Sequence, residues 1–235
     1  MAANTGERTL IPALIPPGAA HIHRVSSVGG PNLSTRDLAV VLGFMSSLVA
    51  DLLVRAVPKS DILLSTIERL PLATDLMLLC DEIAIRAARL NCLSEAHAPF
   101  WESLVGESWT PQTPHRLAAD RRRAQIELDA LVALALDVSV DELCAIYRTQ
   151  FPVLRGYDRN VYYFDEQGRL VPNAVLSAWR QRGTLSADER TVLHPFSGVT
   201  YVYQTPFAAR DREAELRAAH GAFSQLAAKR RSNIS

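Results

Sequence analysis

Residues 123–158 read RAQIELDALVALALDVSVDELCAIYRTQFPVLRGYD, and the spacing of their apolar side chains decides the kind of fold. Ile126, Leu128, Leu131, Val132 and Ala135 recur at the period of a helix that buries one stripe. Ser139, followed three residues later by Glu142, is a capping box, in which each side chain satisfies a free backbone N–H of the other. The "DVS" break is therefore a turn between two helices rather than a linker. Leu143, Ile146, Tyr147 and Phe151 give the second helix its buried edge, and Phe151-Pro152 reads as its stop. Nothing in this helical pair has the makings of an active site.

Working outward, Thr113-Pro114 reads as the start of the long helix. Ser34 with Asp37 resembles another capping arrangement, and the apolar residues from Leu38 to Leu53 predict one amphipathic helix ending near Arg55. Leu76, Leu79, Ile83, Ala87 and Leu90 mark a further helix, and SEAHAPFWESL (94–104) another. Between them, VPKSDILLSTIERLPL holds a short turn of helix ended by Pro71. Residues 8–30 alternate between apolar and polar around Pro12, Pro16 and Pro17, which predicts one or two short strands. NVYYFDEQGRLVP reads as a hairpin around Gln167-Gly168, followed by a helix near 175–181, a short strand VTYVY and a helix from about Arg210. The expected fold class is α+β and mainly helical: a helical scaffold with a few short strands and a C-terminal hairpin. Residues 1–110 and 111–235 are the expected segments.

Lys+Arg and Asp+Glu both number 25, so the net charge neither advertises nor excludes a nucleic-acid partner. Lys59 and Lys229 are the only lysines. Arginine offers a bidentate fork for phosphate and guanine, although a GC-rich genome would give the same bias in an alanine-rich chain. Cys80, Cys92 and Cys144 lack zinc-site spacing and read as core residues of a reducing compartment. No run of about 20 apolar residues suggests a membrane span, and no signal segment is evident, so a cytoplasmic location is expected.

The chemistry-bearing motifs are missing. Neither a P-loop nor GxGxxG is present, and "SSL" and "FSG" lack the glycines of a nucleophile elbow. His21 and His23 share one face of the expected strand, without the Cys, Asp or Glu partners a metal needs. Asp81-Glu82, Asp141-Glu142 and Asp188-Glu189 are adjacent and diverge on a helix, so they read as caps and solvated faces. No catalytic residue, metal site or cofactor is expected in this chain.

Several stretches resemble, in order along almost the whole chain, the target-recognition and C-terminal region of large adenine-specific (N6) DNA methyltransferases. These are the enzymes of fused restriction-modification (type IIG-like) and phage-defence (BREX/DISARM-like) systems. The stretches are ERTLIPALIPPGAAH (7–21), SSLVADLLVRAVPKSDILLSTIERLPL (46–72), EIAIRAARLNCLSEAHAPFWESL (82–104), the helical pair DALVA with DELCAIYRTQFPVL, and finally RNVYYFDEQGRLVP with HPFSGVTYVYQTPF. The family's cofactor glycine motif and its Asn-Pro-Pro-Tyr-type motif are absent; the only Pro-Pro, in LIPPG, has no Asn before it and no aromatic residue after.

The resemblance thus implies a target-recognition part that is not an enzyme by itself. Its partners would be double-stranded DNA and a separate SAM-dependent methyltransferase domain or subunit. Arg55, Lys59 and Ser60, in the loop after the first long helix, are the first candidates for DNA contact, and His21, His23 and Arg24 the second. Two other readings stay open: a helical module that binds another subunit of the same complex, or a non-functional truncated remnant of a longer gene.

Overall fold

The structure, a computed structural model, describes residues 6–21, 25–30, 32–56, 62–71 and 78–233. It is α+β and mainly helical. In chain order the helices are α1 (Thr35–Met45), α2 (Leu48–Arg55), α3 (Leu64–Ile67), α4 (Cys80–Asn91), α5 (Ala98–Val105), α6 (Ala118–Ala135), α7 (Val140–Gln150) and α8 (Pro152–Asn160). Strand β1 (Tyr163–Phe164), α9 (Asn173–Arg182), β2 (Thr191–Leu193), β3 (Thr200–Val202), β4 (Ala208–Ala209) and α10 (Arg212–Ser232) follow.

The long helix α6 lies at the centre. It packs against α4 on one side and α10 on another, with α1, α2 and α7 completing its surroundings. Leu128, Leu131 and Val132 on it are fully buried. Its N-cap is Leu117, not the Thr113-Pro114 pair, because Thr113 closes a turn by accepting the Thr110 N–H on its hydroxyl. One apolar cluster runs from Leu10 through Ile83 and Leu131 to Phe223, so residues on both sides of position 110 share a core. A smaller cluster of Val171, Val175, Leu176, Tyr203 and Phe207 surrounds α9.

Both capping boxes form, at Ser34–Asp37 and Ser139–Glu142. The helix expected from Ser34 to Arg55 is instead two, bent by 64° at Ser46–Ser47. Ser46 Oγ donates back to Leu42 O, while Ser47 Oγ donates to Phe44 O and accepts from Ala50 N. Serine side chains compete with the helix for its own backbone groups, and two in succession end one helix and cap the next.

The sheets also depart from expectation. No strand forms among the described residues of 8–30; Gly6–Leu10 is an irregular, bent strap whose Thr9 N–H donates to Asp51. Around Gly168 a tight turn exists, but Phe164 makes only an isolated bridge to Leu170, and β1 takes β4 as its antiparallel partner. The regular hairpin is β2–β3, with Val192 opposite Tyr201. Among the described residues no single helix is long and apolar enough to cross a membrane.

Gly43 marks the closest approach of α1 to its neighbours. A Cβ there would lie 2.5 Å from Ile83 Cγ2 and 3.2 Å from Leu128 Cδ2. The Ile83 methyl sits on a branched carbon and cannot swing aside. Gly43→Ala gains about 1 kcal/mol of helix propensity, but overpacking costs about 1–3 kcal/mol. Thermal denaturation should therefore show a less stable protein, whereas an exposed helical glycine such as Gly221 should be stabilised by the same change.

Candidate functional site

Arg55 is not available to a ligand. Its side chain is 6% exposed, and its donors are committed to Asp51 Oδ1 (3.1 Å), Gln150 O (2.9 Å), and Gly6 O and Glu7 O (3.2 Å each). The guanidinium also stacks 4.3 Å from the Phe151 ring centroid. This corrects the expectation that Arg55 contacts DNA: the last turn of α2 faces inward, and Arg55 is the counter-ion of buried Asp51. Lys59 and Ser60 lie outside the described residues, as do His23 and Arg24. His21 is exposed, with Nε2 2.9 Å from Ser27 Oγ.

Asp51 belongs to a set of buried carboxylates that the sequence did not reveal. Fully buried Asp129 accepts from Leu48 N (2.7 Å) and from Arg8 Nη2 (3.3 Å to each oxygen), with Arg212 Nη1 at 3.9 Å. Burial pushes its pKa up against the opposing charges of Arg8 and Arg212. Asp158 accepts from Arg122 Nη1, Arg212 Nε (2.6 Å) and Tyr147 Oη (2.9 Å). Burial raises its pKa as well, but hydrogen bonds and charge from Arg212, then Arg122, outweigh it, so the carboxyl sits below its ordinary range. Tyr147 is pushed up by burial and by Asp158. A carboxylate so fully engaged is held ionised, and its work is to position other groups.

What it positions is a groove. The network anchors α8 to the start of α10, and between them lies an open cavity of about 560 Å³ lined by Arg155, Arg159, Arg210 and Arg212. Arg155 and Arg159 are one turn apart on α8, so they share a face with Cβ atoms about 6 Å apart. Among the described residues neither side chain has a carboxylate or hydrogen-bond partner. Arg210 covers the Phe164 ring at 4.9 Å and approaches Glu215 only to 4.0 Å. The acids nearby are occupied: Asp211 caps α10 through Glu213 N and Ala214 N, and Glu213 lies 3.6 Å from Arg148. The rim therefore offers cationic donors while its carboxylates are engaged.

The signal for this groove was in "PVLRGYDR", with Arg155 and Arg159 four apart. Pro152, which the sequence suggests as a stop, instead occupies the first turn of α8, where a missing N–H costs nothing. Among the described residues no three His, Cys, Asp or Glu side chains come together as a metal site. Comparison of the chain with family models, with curated proteins and with solved structures gives no match.

Proposed function

We propose that this chain is the DNA-binding, target-recognition part of an adenine-N6 DNA methyltransferase of a restriction-modification or phage-defence system. It docks duplex DNA and holds it for a separate SAM-dependent catalytic domain, and it methylates nothing by itself. The ordered resemblance along the sequence suggests the reading, and the groove between α8 and α10 is the observation that carries it. Unpaired arginines one turn apart suit backbone phosphates, which fix register on the duplex while other residues read base edges. Lys59 and Ser60 keep their place as candidates for that second task. The cytoplasm, where DNA and reduced thiols coincide, is the matching compartment, and Cys80, Cys92 and Cys144 are buried and unpaired.

A second reading, docking to another protein of the complex, is favoured by the β2–β3 hairpin. Val192 and Tyr201 face the α9 cluster, leaving Leu193 and Val202 outward and Phe196 94% exposed at the tip. The hairpin could serve the catalytic partner while the groove serves DNA.

The test is binding to random duplex at several salt concentrations, with the catalytic partner supplied if the chain alone binds weakly. Joint replacement of Arg155 and Arg159 by alanine should weaken binding and reduce the magnitude of the salt slope by about one for each lost phosphate contact. Arg182→Ala, which removes a surface partner of Glu189, should change neither. Unaltered affinity and slope in the folded double variant would remove the groove from the DNA interface and leave the docking reading stronger.

A further inference from the structure

We infer that a second open cavity, bordered by the N-terminal strap, α6 and the start of α10, is a binding site for a small organic anion: an oxyanion head on a flat apolar body. The inference stands independently of the DNA reading. The cavity has a volume of about 400 Å³, within the range of small-molecule sites. Its lining includes four arginines, Arg8, Arg121, Arg122 and Arg212, and the apolar residues Leu154, Phe164 and Leu170.

Two features show that the cationic part of this lining is under-satisfied. Arg212 Nη1 and Arg8 Nη1 are buried without a hydrogen-bond partner, although the Arg212 side chain is only 5% exposed. Buried donors are nearly always paired, and each that is not carries a penalty of about 1–3 kcal/mol. Arg121 is half-buried and, among the described residues, has no carboxylate in ion-pair range; its Nη1 donates to Leu90 O and His115 O. Burial, and then the charge of Arg116, lower its pKa, which is the state of a cation that gains from a counter-ion.

The other three guanidiniums are already balanced. Arg8 and Arg212 share Asp129, and Arg122 bonds Asp158 and Glu215. Glu7, the carboxylate of the cavity wall, accepts the Tyr162 hydroxyl at 2.5 Å. Arg121 is thus the guanidinium of this lining without a carboxylate partner among the described residues, and because Glu7 adds a carboxylate to the lining, the pull on an incoming anion comes from Arg121 itself rather than from a net positive cavity. The apolar lining argues for more than a bare ion: Leu170 is 39% exposed, backed by buried Leu154 and Phe164, and gives an apolar body surface to cover.

The full-length chain should be titrated calorimetrically with four probes: benzoate, adenosine 5′-monophosphate, inorganic phosphate and uncharged adenosine. Saturable one-to-one binding of benzoate or the monophosphate is expected, at least about tenfold tighter than phosphate or adenosine alone. Which of the two binds decides between a carboxylate and a phosphate head. Arg121→Gln should weaken that binding at least about tenfold while leaving the ligand-free circular dichroism near wild type, with a lower melting temperature from the lost bonds to Leu90 O and His115 O. Leu170→Glu, at the exposed part of the apolar lining, should weaken binding to a similar degree. No binding of either organic anion at about 10 mM, equal binding by bare phosphate, or affinity unchanged in both variants would each overturn the assignment.

Discussion

Asp158→Ala is expected to destabilise the protein by about 3–5 kcal/mol, the usual result of removing one partner from a buried ion pair. The carboxylate joins Arg122 of α6, Arg212 of α10 and Tyr147 of α7. Without it two guanidiniums and a phenol remain buried and short of acceptors, and that uncompensated charge, more than the lost attraction, sets the size of the effect. Asp158→Asn, which keeps the shape, should lose a comparable amount. The pH dependence follows from the lowered pKa. A carboxyl that titrates below its ordinary value of 3.8 when folded contributes stability that is complete above the unfolded value and is lost as pH falls through the folded one. The gap between wild type and Asp158→Asn in urea denaturation should therefore stay constant from neutrality to about pH 5 and close at lower pH. A gap that persisted in acid would show that packing, not charge, holds this junction.

Leu131→Ala should cost about 2–5 kcal/mol. Leu131 is fully buried on α6, a helix packed against both α4 and α10. Leu128, Val132 and Leu143, also fully buried, border the core around it; a helix packed on several sides cannot move to refill a cavity on one of them. Leu193→Ala, on the exposed face of β2, should change stability by less than about 0.5 kcal/mol. Equal midpoints for the two variants in chemical denaturation would mean that α6 is not the packed centre of the fold.

The features legible in the sequence are those whose cause is local. Ser34 with Asp37 and Ser139 with Glu142 state their caps within four residues, and the stripe on α6 repeats within one helix. The division of α1 from α2 was also local, but two serines within an apolar run look harmless until their hydroxyls are seen turning on the backbone. Strand pairing was hidden for another reason: β1 has a turn and a plausible partner immediately after it, yet Tyr163 pairs with distant Ala209. The same distance hid the fate of Arg55. Gly6 and Gln150 are distant partners, and the nearby one, Asp51 four residues earlier on α2, makes a pair equally at home on a solvated helix face. Arg155 and Arg159 share a helical face only because Pro152 begins α8, and a proline after Phe151 looks the same in sequence whether it ends one helix or starts the next.

The polar centre also bears on how the protein is made. Arg8 meets Asp129 across 121 residues, Glu7 meets Tyr162 across 155, and Arg230 near the end of α10 reaches back 152 to Leu78. A chain leaving the ribosome carries Asp129 and Asp158 long before Arg212 exists to join them. Until then those acids favour water over the interior, and the helices that bear them have reason to remain loosely associated. Contacts of such long sequence separation form late and slowly. The polar centre is therefore complete only once α10 has docked on α6 and brought Arg212 to Asp158.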